Sequence, residues 1–416
     1  MQDFILKNLV FQADKRAVVT AFCHDMSLLD FIEAGYISGD GRMQNGSLPD
    51  SFRKFEPVPF EIRGNVLQFD LFLSGEGTHT IKLQYRRNDA AEYVYLEFYS
   101  LYSDLYALTP YKGNIHCHTT DSDGLNTPEN TLCAARQAGF DFVAFSEHRK
   151  FTDHTGDCKH LLDNLGINLF HAEEVHSLPL WVCHILSFGA NSGISQRQES
   201  AEYKSDVEFA KEKYSDLPED LREYAAQSDV ILRYISEAGG LKIMCHPYWK
   251  HTGRINMPAK LNEIFFEKLP FDAMEIASAD NANTSLANAK YTELAGNGFN
   301  LPVLAGSDWH GQNGERMQAA YNIVFAQKCS ESSVADAVRI GNSVAVFGED
   351  NPVVFGSVRL VNYALFLIRN FYSRRDADCE QLGLLMLYSL NCGNSFDKDI
   401  SGLKASVDLQ NFMLKA

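Results

Sequence analysis

Hydrophobic and polar positions fall into two different rhythms along this chain. Residues 60–72 (FEIRGNVLQFDLF) alternate apolar and polar side chains around Gly64-Asn65, the pattern of a β-hairpin with a tight turn. Residues 78–85 (THTIKLQY) and 93–99 (YVYLEFY) keep the period of two. Residues 1–108 therefore read as a small aromatic-rich β-sandwich-like domain. From Tyr111 the rhythm changes to strands alternating with helices. Thr127-Pro128-Glu129 supplies a cap residue and a proline for a helix start, Leu132, Ala135 and Ala138 share one face, and Gly139 ends it. Apolar runs follow at DFVAF, INLFHAEEVHS, WVCHILSFG, LKIMC, AMEIASAD, LPVLAG and YNIVFAQ, with helical segments between most of them. The count is about seven strand-like runs, one short of the usual eight of a parallel β/α barrel. Beyond Phe347, residues 363–372 and 381–390 are apolar and helix-like, so residues 351–416 read as a C-terminal helical cap on a barrel of residues 109–350.

Composition narrows the class. The chain has 416 residues, 45% of them hydrophobic and 22% charged, an ordinary balance for a globular protein of more than one domain. Its formal net charge of -17 disfavours long nucleic acid or an anionic membrane as the main partner, because those surfaces call for Lys and Arg. An anionic substrate stays open, since bound cations reverse the field inside a pocket. The nine cysteines show no CxxC pair and no regular spacing, which points to free thiols in a reducing compartment. The first residues mix acidic and basic groups without a long apolar stretch, unlike a secretory signal, and no run approaches the roughly 20 apolar residues of a membrane span. A cytoplasmic location is expected.

The chemistry gathers at the ends of the apolar runs. His116 and His118 stand two apart at the end of one strand, Asp123 follows in a turn-prone DSDG, and the next strand ends in Glu147-His148. Glu174, His184, His246, Asp308 and His310 lie at or just beyond the ends of later runs. In a β/α barrel the C-terminal strand ends converge on one pocket. Without a cation, so many buried polar groups would each need a partner. With cations they form a shell of imidazoles and carboxylates suited to Zn, Mn or Fe. Any one of these motifs alone is weak, since a single His before a turn is usually a satisfied core residue; their recurrence on successive strands is what argues for metal. His79, His154, His160, His171, His176 and His251 fit surface or supporting roles, although His176 shares a strand face with Glu174. Cys117, Cys183 and Cys245 each adjoin a proposed ligand and should point away from the pocket as small buried hydrophobes. Alternation forbids Glu173 and Glu174 from both facing inward and does not choose between them.

These motifs resemble the PHP family of polymerase and histidinol phosphatase metallo-phosphoesterases over about residues 111–349. NIHCHTTDSDG is similar to that family's opening H-x-H with its following S-D-G, FSEHR to its second motif, HAEEVHS to its third, and VCHIL, CHPYW and GSDWH to its last three. The resemblance implies a distorted (β/α)7 TIM-like barrel with a trinuclear metal site. One cation would be held by His116, His118, Glu174 and Asp308, a second by Asp123, His148 and His310, and a third by His184 and His246 with Glu174 bridging. It favours Glu174 over Glu173. Two departures are Glu147 in place of the usual Asp beside His148, and Ala172-Glu173 in place of Gly and an apolar residue. The implied activity is hydrolysis of a small phosphate ester, such as a nucleotide, histidinol phosphate or a sugar phosphate, by a metal-bridged hydroxide. Arg149 is the nearest candidate for a phosphate clamp, ahead of Lys150 and Lys250. Two alternatives have distinct signatures: an amidohydrolase-type metal hydrolase, which usually carries a bridging Lys, and a non-catalytic, metal-stabilised accessory domain.

Overall fold

The computed structural model describes residues 3–37, 55–87, 90–251, 253–278, 280–312, 316–393 and 396–416. The chain forms two compact units: Met1–Leu108 with Asn362–Arg375 and Ala405–Ala416, and Thr109–Val361 with Asp376–Lys404. The C-terminal helices are thus shared between the units.

The first unit holds two sheets, one of four strands and one of five. Phe69, Leu71 and Leu73 of one sheet and Ile81, Leu83 and Phe98 of the other are buried in a single apolar cluster. Strand Val66–Leu73 shows why alternation selects this arrangement: Leu67, Phe69, Leu71 and Leu73 are buried while Asp70 and Phe72 are exposed. The hairpin expected around Gly64-Asn65 is present, with Arg63 opposite Val66 and Gly64 at φ 62. Strands Gly77–Arg87 and Ala90–Leu101 pair antiparallel from Gly77–Ser100 to Arg87–Ala90.

The second unit is built on a sheet of ten strands: β1 Thr109–Cys117, β2 Phe142–Phe145, β3 Asn168–His176, β4 His184–Phe188, β5 Leu241–Met244, β6 Ala273–Ser278, β7 Val303–Gly306, β8 Ala320–Ala326, β9 Ser343–Phe347 and β10 Val353–Phe355. Its helices include α1 Pro128–Gln137, α2 Lys159–Leu165, α3 Ala201–Ala210, α4 Glu219–Glu237, α5 Ala259–Glu267, α6 Asn281–Ala295 and α7 Glu331–Arg339. α1 starts as its sequence dictates, with Thr127 Oγ1 accepting from Asn130 N and Pro128 at the first position. β1, β2 and β3 are parallel neighbours, as are β5, β6 and β7. β4 runs antiparallel to both β3 and β5, and β8 antiparallel to β1 and β9. The sheet therefore has more strands than the seven expected, and not all are parallel.

The sheet curls until it is nearly closed. The buried side chain of Asn322 on β8 seals the seam against β7, accepting from Ala305 N at 2.8 Å and donating to Ala305 O at 2.7 Å. One face of the strands (Phe170, Ala172, Leu186, Ile243, Leu304) clusters with Val334 and Val338 of α7. The alternate residues (Val175, Ile185, Met244, Met274) pack against α4 and α5.

A buried ion pair fastens the C-terminal part of this unit to β1. Lys112 is 5% exposed; its Nζ donates to Ala138 O at 2.8 Å, lies 2.6 Å from Asp376 Oδ2 and sits over the Tyr321 ring. The Asp376 carboxyl occupies the space a Cβ on Gly139 would need. Asp376→Ala takes the carboxylate away from a desolvated ammonium and should cost about 3 kcal/mol. Urea unfolding checks this: an unchanged midpoint would show that the pair contributes nothing.

Candidate metal centre

One rim of the curled sheet collects the site. β1 brings His116, and the turn after it His118 and Asp123. The segment after β2 brings His148, β3 brings Glu174 and His176, and the residues after β5 and β7 bring His246, Asp308 and His310. His184 departs from the expectation that each group sits at a strand's C-terminal end. It is the first residue of β4, and because β4 is antiparallel to β3, its start reaches the same rim. His116 and His118, two residues apart, both reach the rim as alternation expects, although the β1–β2 register shifts between Asn114 and Cys117.

Four non-glycine residues at this rim have left-handed backbone: Arg149 at φ 52, Trp181 at φ 52, His246 at φ 22 and Asp308 at φ 51. Such conformations cost on the order of 1 kcal/mol each and gather where geometry is imposed by function. Cys245, between the end of β5 and the left-handed His246, departs from the expected outward orientation. β5 stops at Met244, and Cys245 Sγ lies 3.9 Å from Glu174 Oε1. Cys117 does turn away, toward Ala144 O.

Glu174 is the hub. On β3 it follows Phe170 and Ala172 on the inner face, whereas Glu173 faces outward and accepts from Ile194 N at 2.7 Å and Ser195 N at 3.1 Å. Glu174 Oε1 lies 2.7 Å from His184 Nδ1 and 3.1 Å from His246 Nε2. Its Oε2 lies 2.7 Å from His148 Nδ1, 3.5 Å from His116 Nε2, 3.6 Å from His118 Nε2 and 3.7 Å from His176 Nε2. Asp308 Oδ1 adds contacts of 3.3 Å to His116 and 3.0 Å to His118. Asp123 Oδ1 stands 3.4 Å from His148 Nε2 and 3.2 Å from His310 Nε2. A carboxylate cannot accept from six imidazoles at once. His116 Nε2 and Glu174 Oε2 are in fact buried without a hydrogen bond of acceptable geometry. Lone pairs aimed at a shared point and left unpaired are what a cation satisfies.

The donors fall into groups that could hold metal ions: His116, His118, Glu174 and Asp308; His118, Asp123, His148 and His310; His148, Glu174 and His176; and Glu174, Cys245 and His246. His184 joins through Glu174. All nine residues singled out from the sequence thus meet at one rim.

Without cations the cluster is strongly polarised. Burial resists the charge on Glu174, but His184, His148 and His116 outweigh it and hold its carboxyl well below the usual range. Asp308 is lowered in the same way, against burial, by His116 and His118. Burial likewise resists protonation of His148, yet Glu174 and Asp123 raise it to about 9. His118 and His176 go the other way, pulled down to about 4 because burial dominates.

Several groups support the cluster, and of these only Glu147 was singled out from the sequence. Glu275, fully buried on β6, lies 2.8 Å from His116 Nδ1 and accepts from His246 N at 3.1 Å. A carboxylate behind an imidazole fixes its tautomer and aims the other nitrogen at the pocket. Gly306 makes room for it: a Cβ there would lie 1.9 Å from Glu275 Oε1 and 3.0 Å from His116 Cβ. The Trp181 carbonyl accepts from His184 Nε2 at 3.0 Å and so turns Nδ1 toward Glu174. Glu147 pins the turn that carries Asp123, accepting from Thr119 N and Thr119 Oγ1 at 3.0 and 2.7 Å and from Ser122 Oγ. Glu275→Gln keeps the shape and removes the charge. It should weaken metal affinity about 10- to 100-fold, read by titration against a chelator of known affinity; unchanged affinity would reduce Glu275 to a packing residue.

A cavity of about 610 Å³ opens over this rim, its lining including Asp123, His148, Asp308 and His310 together with Trp181, Trp249, Asn256 and Asp280. Arg149 is not among its lining residues, and its Nε is buried without a hydrogen bond. Lys150 lies 2.9 Å from Asp121 Oδ1.

No known family model and no curated protein matches the chain. Among solved structures it is similar to a two-domain Bacteroides vulgatus protein containing a predicted PHP-like metal-dependent phosphoesterase, at 17% identity and a TM-score of 0.41, over 64% of this chain and 71% of that one. It is similar to an amidohydrolase from Chromobacterium violaceum with bound sulfate, at 17% identity and a TM-score of 0.34, over 49% and 89% of the two chains. It is also similar to a protein of Bifidobacterium adolescentis assigned as a metal-dependent phosphoesterase, at 18% identity and a TM-score of 0.33, over 49% and 91%.

Proposed function

We propose that this protein hydrolyses small phosphate esters at a cluster of three divalent cations, Zn, Mn or Fe. The observation that carries the reading is the convergence of six imidazole nitrogens within 3.7 Å of the fully buried Glu174 carboxylate, with lone pairs left unpaired. By this reading His116, His118, Glu174 and Asp308 would hold one cation, Asp123, His148 and His310 a second, and His184, His246 and Glu174 a third.

When bound, divalent cations supply Lewis acidity and lower the pKa of coordinated water toward neutrality. The chain's own residues set the conditions for this. Three carboxylates against three divalent cations leave the pocket net positive inside an acidic protein, which favours a phosphate dianion. Glu275 and the Trp181 carbonyl hold His116 and His184 in the tautomers that present a free nitrogen. Glu174 belongs to three of the four donor groups, so its carboxylate would take the shared place that a lysine takes in an amidohydrolase.

Metal analysis of the purified protein, combined with phosphate release from a panel of phosphate esters and turnover of acyl amides, tests the reading. Phosphate release that disappears in His116→Ala and Asp308→Ala is expected. Turnover confined to amides, or full activity in both variants, would overturn it.

A further inference from the structure

The residues over the metal rim carry information about the leaving group. Trp181 is 46% exposed at a left-handed backbone position, an arrangement that a bulky aromatic residue adopts only under constraint. Its loop is tightly built. Trp181 N donates to Ser177 O at 3.0 Å, Ser177 N to Cys183 O at 2.9 Å, and Gln227 of α4 bonds both the N–H and the carbonyl of Leu178. Trp249 stands on the neighbouring loop, its N–H bonded to His246 O at 2.9 Å. Asn256 ties the two loops together: its N–H donates to Trp249 O at 2.9 Å and its Nδ2 to Trp181 O at 3.2 Å. The indoles lie beside the inner imidazoles, 4.9 Å from His176 for Trp181 and 5.4 Å from His184 for Trp249. Two aromatic side chains thus line the cavity on loops tied by backbone hydrogen bonds, and Trp181 is held there at a strained backbone position.

The charge of the same wall matters equally. Among the described residues, no Lys or Arg lines the cavity, and its other polar lining groups beyond the proposed ligands include Asn256, Ser278, Asp280 and Gln312. A second phosphate on the leaving group would meet Asp280 without a counter-charge.

We propose that the leaving group of this enzyme's substrate is a flat aromatic or heteroaromatic moiety, seated against Trp181 and Trp249, on a monoester with no second phosphate. The proposal rests on the phosphoesterase reading and narrows its substrate class. Stacking on an aromatic side chain is worth about 1–3 kcal/mol per ring, so affinity should exceed that of an alkyl analogue by about ten-fold or more.

The test is calorimetric titration of the zinc-loaded protein with phenylphosphonate and with methylphosphonate, which present one phosphoryl-type anion each and differ in the ring. The expected result is a phenyl-to-methyl affinity ratio of about ten or more. The ratio should fall several-fold in Trp181→Leu and in Trp249→Leu and be kept in Trp181→Phe, which preserves an aromatic face and controls for loss of fold. A ratio near one while phosphate esters are still hydrolysed overturns this inference alone. A high ratio that neither Leu variant lowers also overturns it, by placing the ring contact elsewhere. Failure of both phosphonates to bind, with no phosphate released from any ester, overturns the phosphoesterase reading and this inference with it.

Discussion

Glu174→Gln is expected to strip the protein of most of its metal and to lower phosphate release about a thousand-fold. The substitution preserves volume and removes one charge from a point where six imidazole nitrogens lie within 3.7 Å. A neutral amide would hold divalent cations far less well than a carboxylate, and its NH2 end would face ring nitrogens that need an electrophile. Part of the loss should appear without metal as well. A buried carboxylate that counters His184, His148 and His116 is removed, and such losses run to about 3–5 kcal/mol. The control is the adjacent residue. Glu173→Gln replaces one of the two oxygens that accept from Ile194 N and Ser195 N on the opposite face by a donor, so it should cost about 1–2 kcal/mol of stability with metal content intact. Measuring bound metal and phosphate release for both variants separates hub from neighbour. Equal metal content in the two would show that Glu174 is not the bridge.

The contrast between Glu173 and Glu174 shows how far the sequence could be read. Period-two alternation placed one of them inward, and only the register of β3 between β2 and β4 decides which, because it depends on where Phe170 and Ala172 fall. His116, His118 and His148 were legible because apolar runs ended in ligand-type residues. The strand direction of β4 was not, so His184 was assigned to a strand end when it occupies a strand start. Cys245 was placed outward by alternation that no longer applies past Met244, where the backbone of His246 turns left-handed. Glu275 was passed over inside the apolar run AMEIAS. The signal was there: a lone carboxylate in a fully buried strand must have a partner, and His116 Nδ1 is that partner. The sandwich hairpins were legible from alternation alone, since a register slip would expose Leu67, Phe69 and Leu71 together. The strand total of the second unit was not, because β9 and β10 are antiparallel additions that a repeat of strand and helix does not announce.

Removing the cations should destabilise the protein by several kcal/mol, and the deficit should widen as pH rises from 6 to 9. Each cation held by the native state alone adds about 4 kcal/mol at a thousand-fold excess over its dissociation constant. The pH term follows from the metal-free cluster. The imidazoles of His116, His148 and His246 are raised above their ordinary value of about 6.5. Their contribution to stability is therefore complete below that value and is lost as pH climbs through the folded value, about 9 for His148. For His148 alone this is on the order of 3 kcal/mol. Glu174 and Asp308 are lowered, so their contribution persists above about pH 4.5 and does not change across this window. His118 and His176, lowered to about 4, resist protonation, so they penalise the native state only below about pH 6.5. Metal binding has the opposite slope, because imidazole ligands must be neutral and protons compete with cations at low pH. The chelated protein should lose stability between pH 6.5 and 9 while the loaded protein holds or gains it. Melting curves at pH 6, 7.5 and 9, with chelator and with added cation, check this directly. Curves that shift in parallel at all three values would mean that the imidazoles gathered around Glu174 do not exchange protons for metal, and the centre would have to be read as a purely hydrogen-bonded cluster.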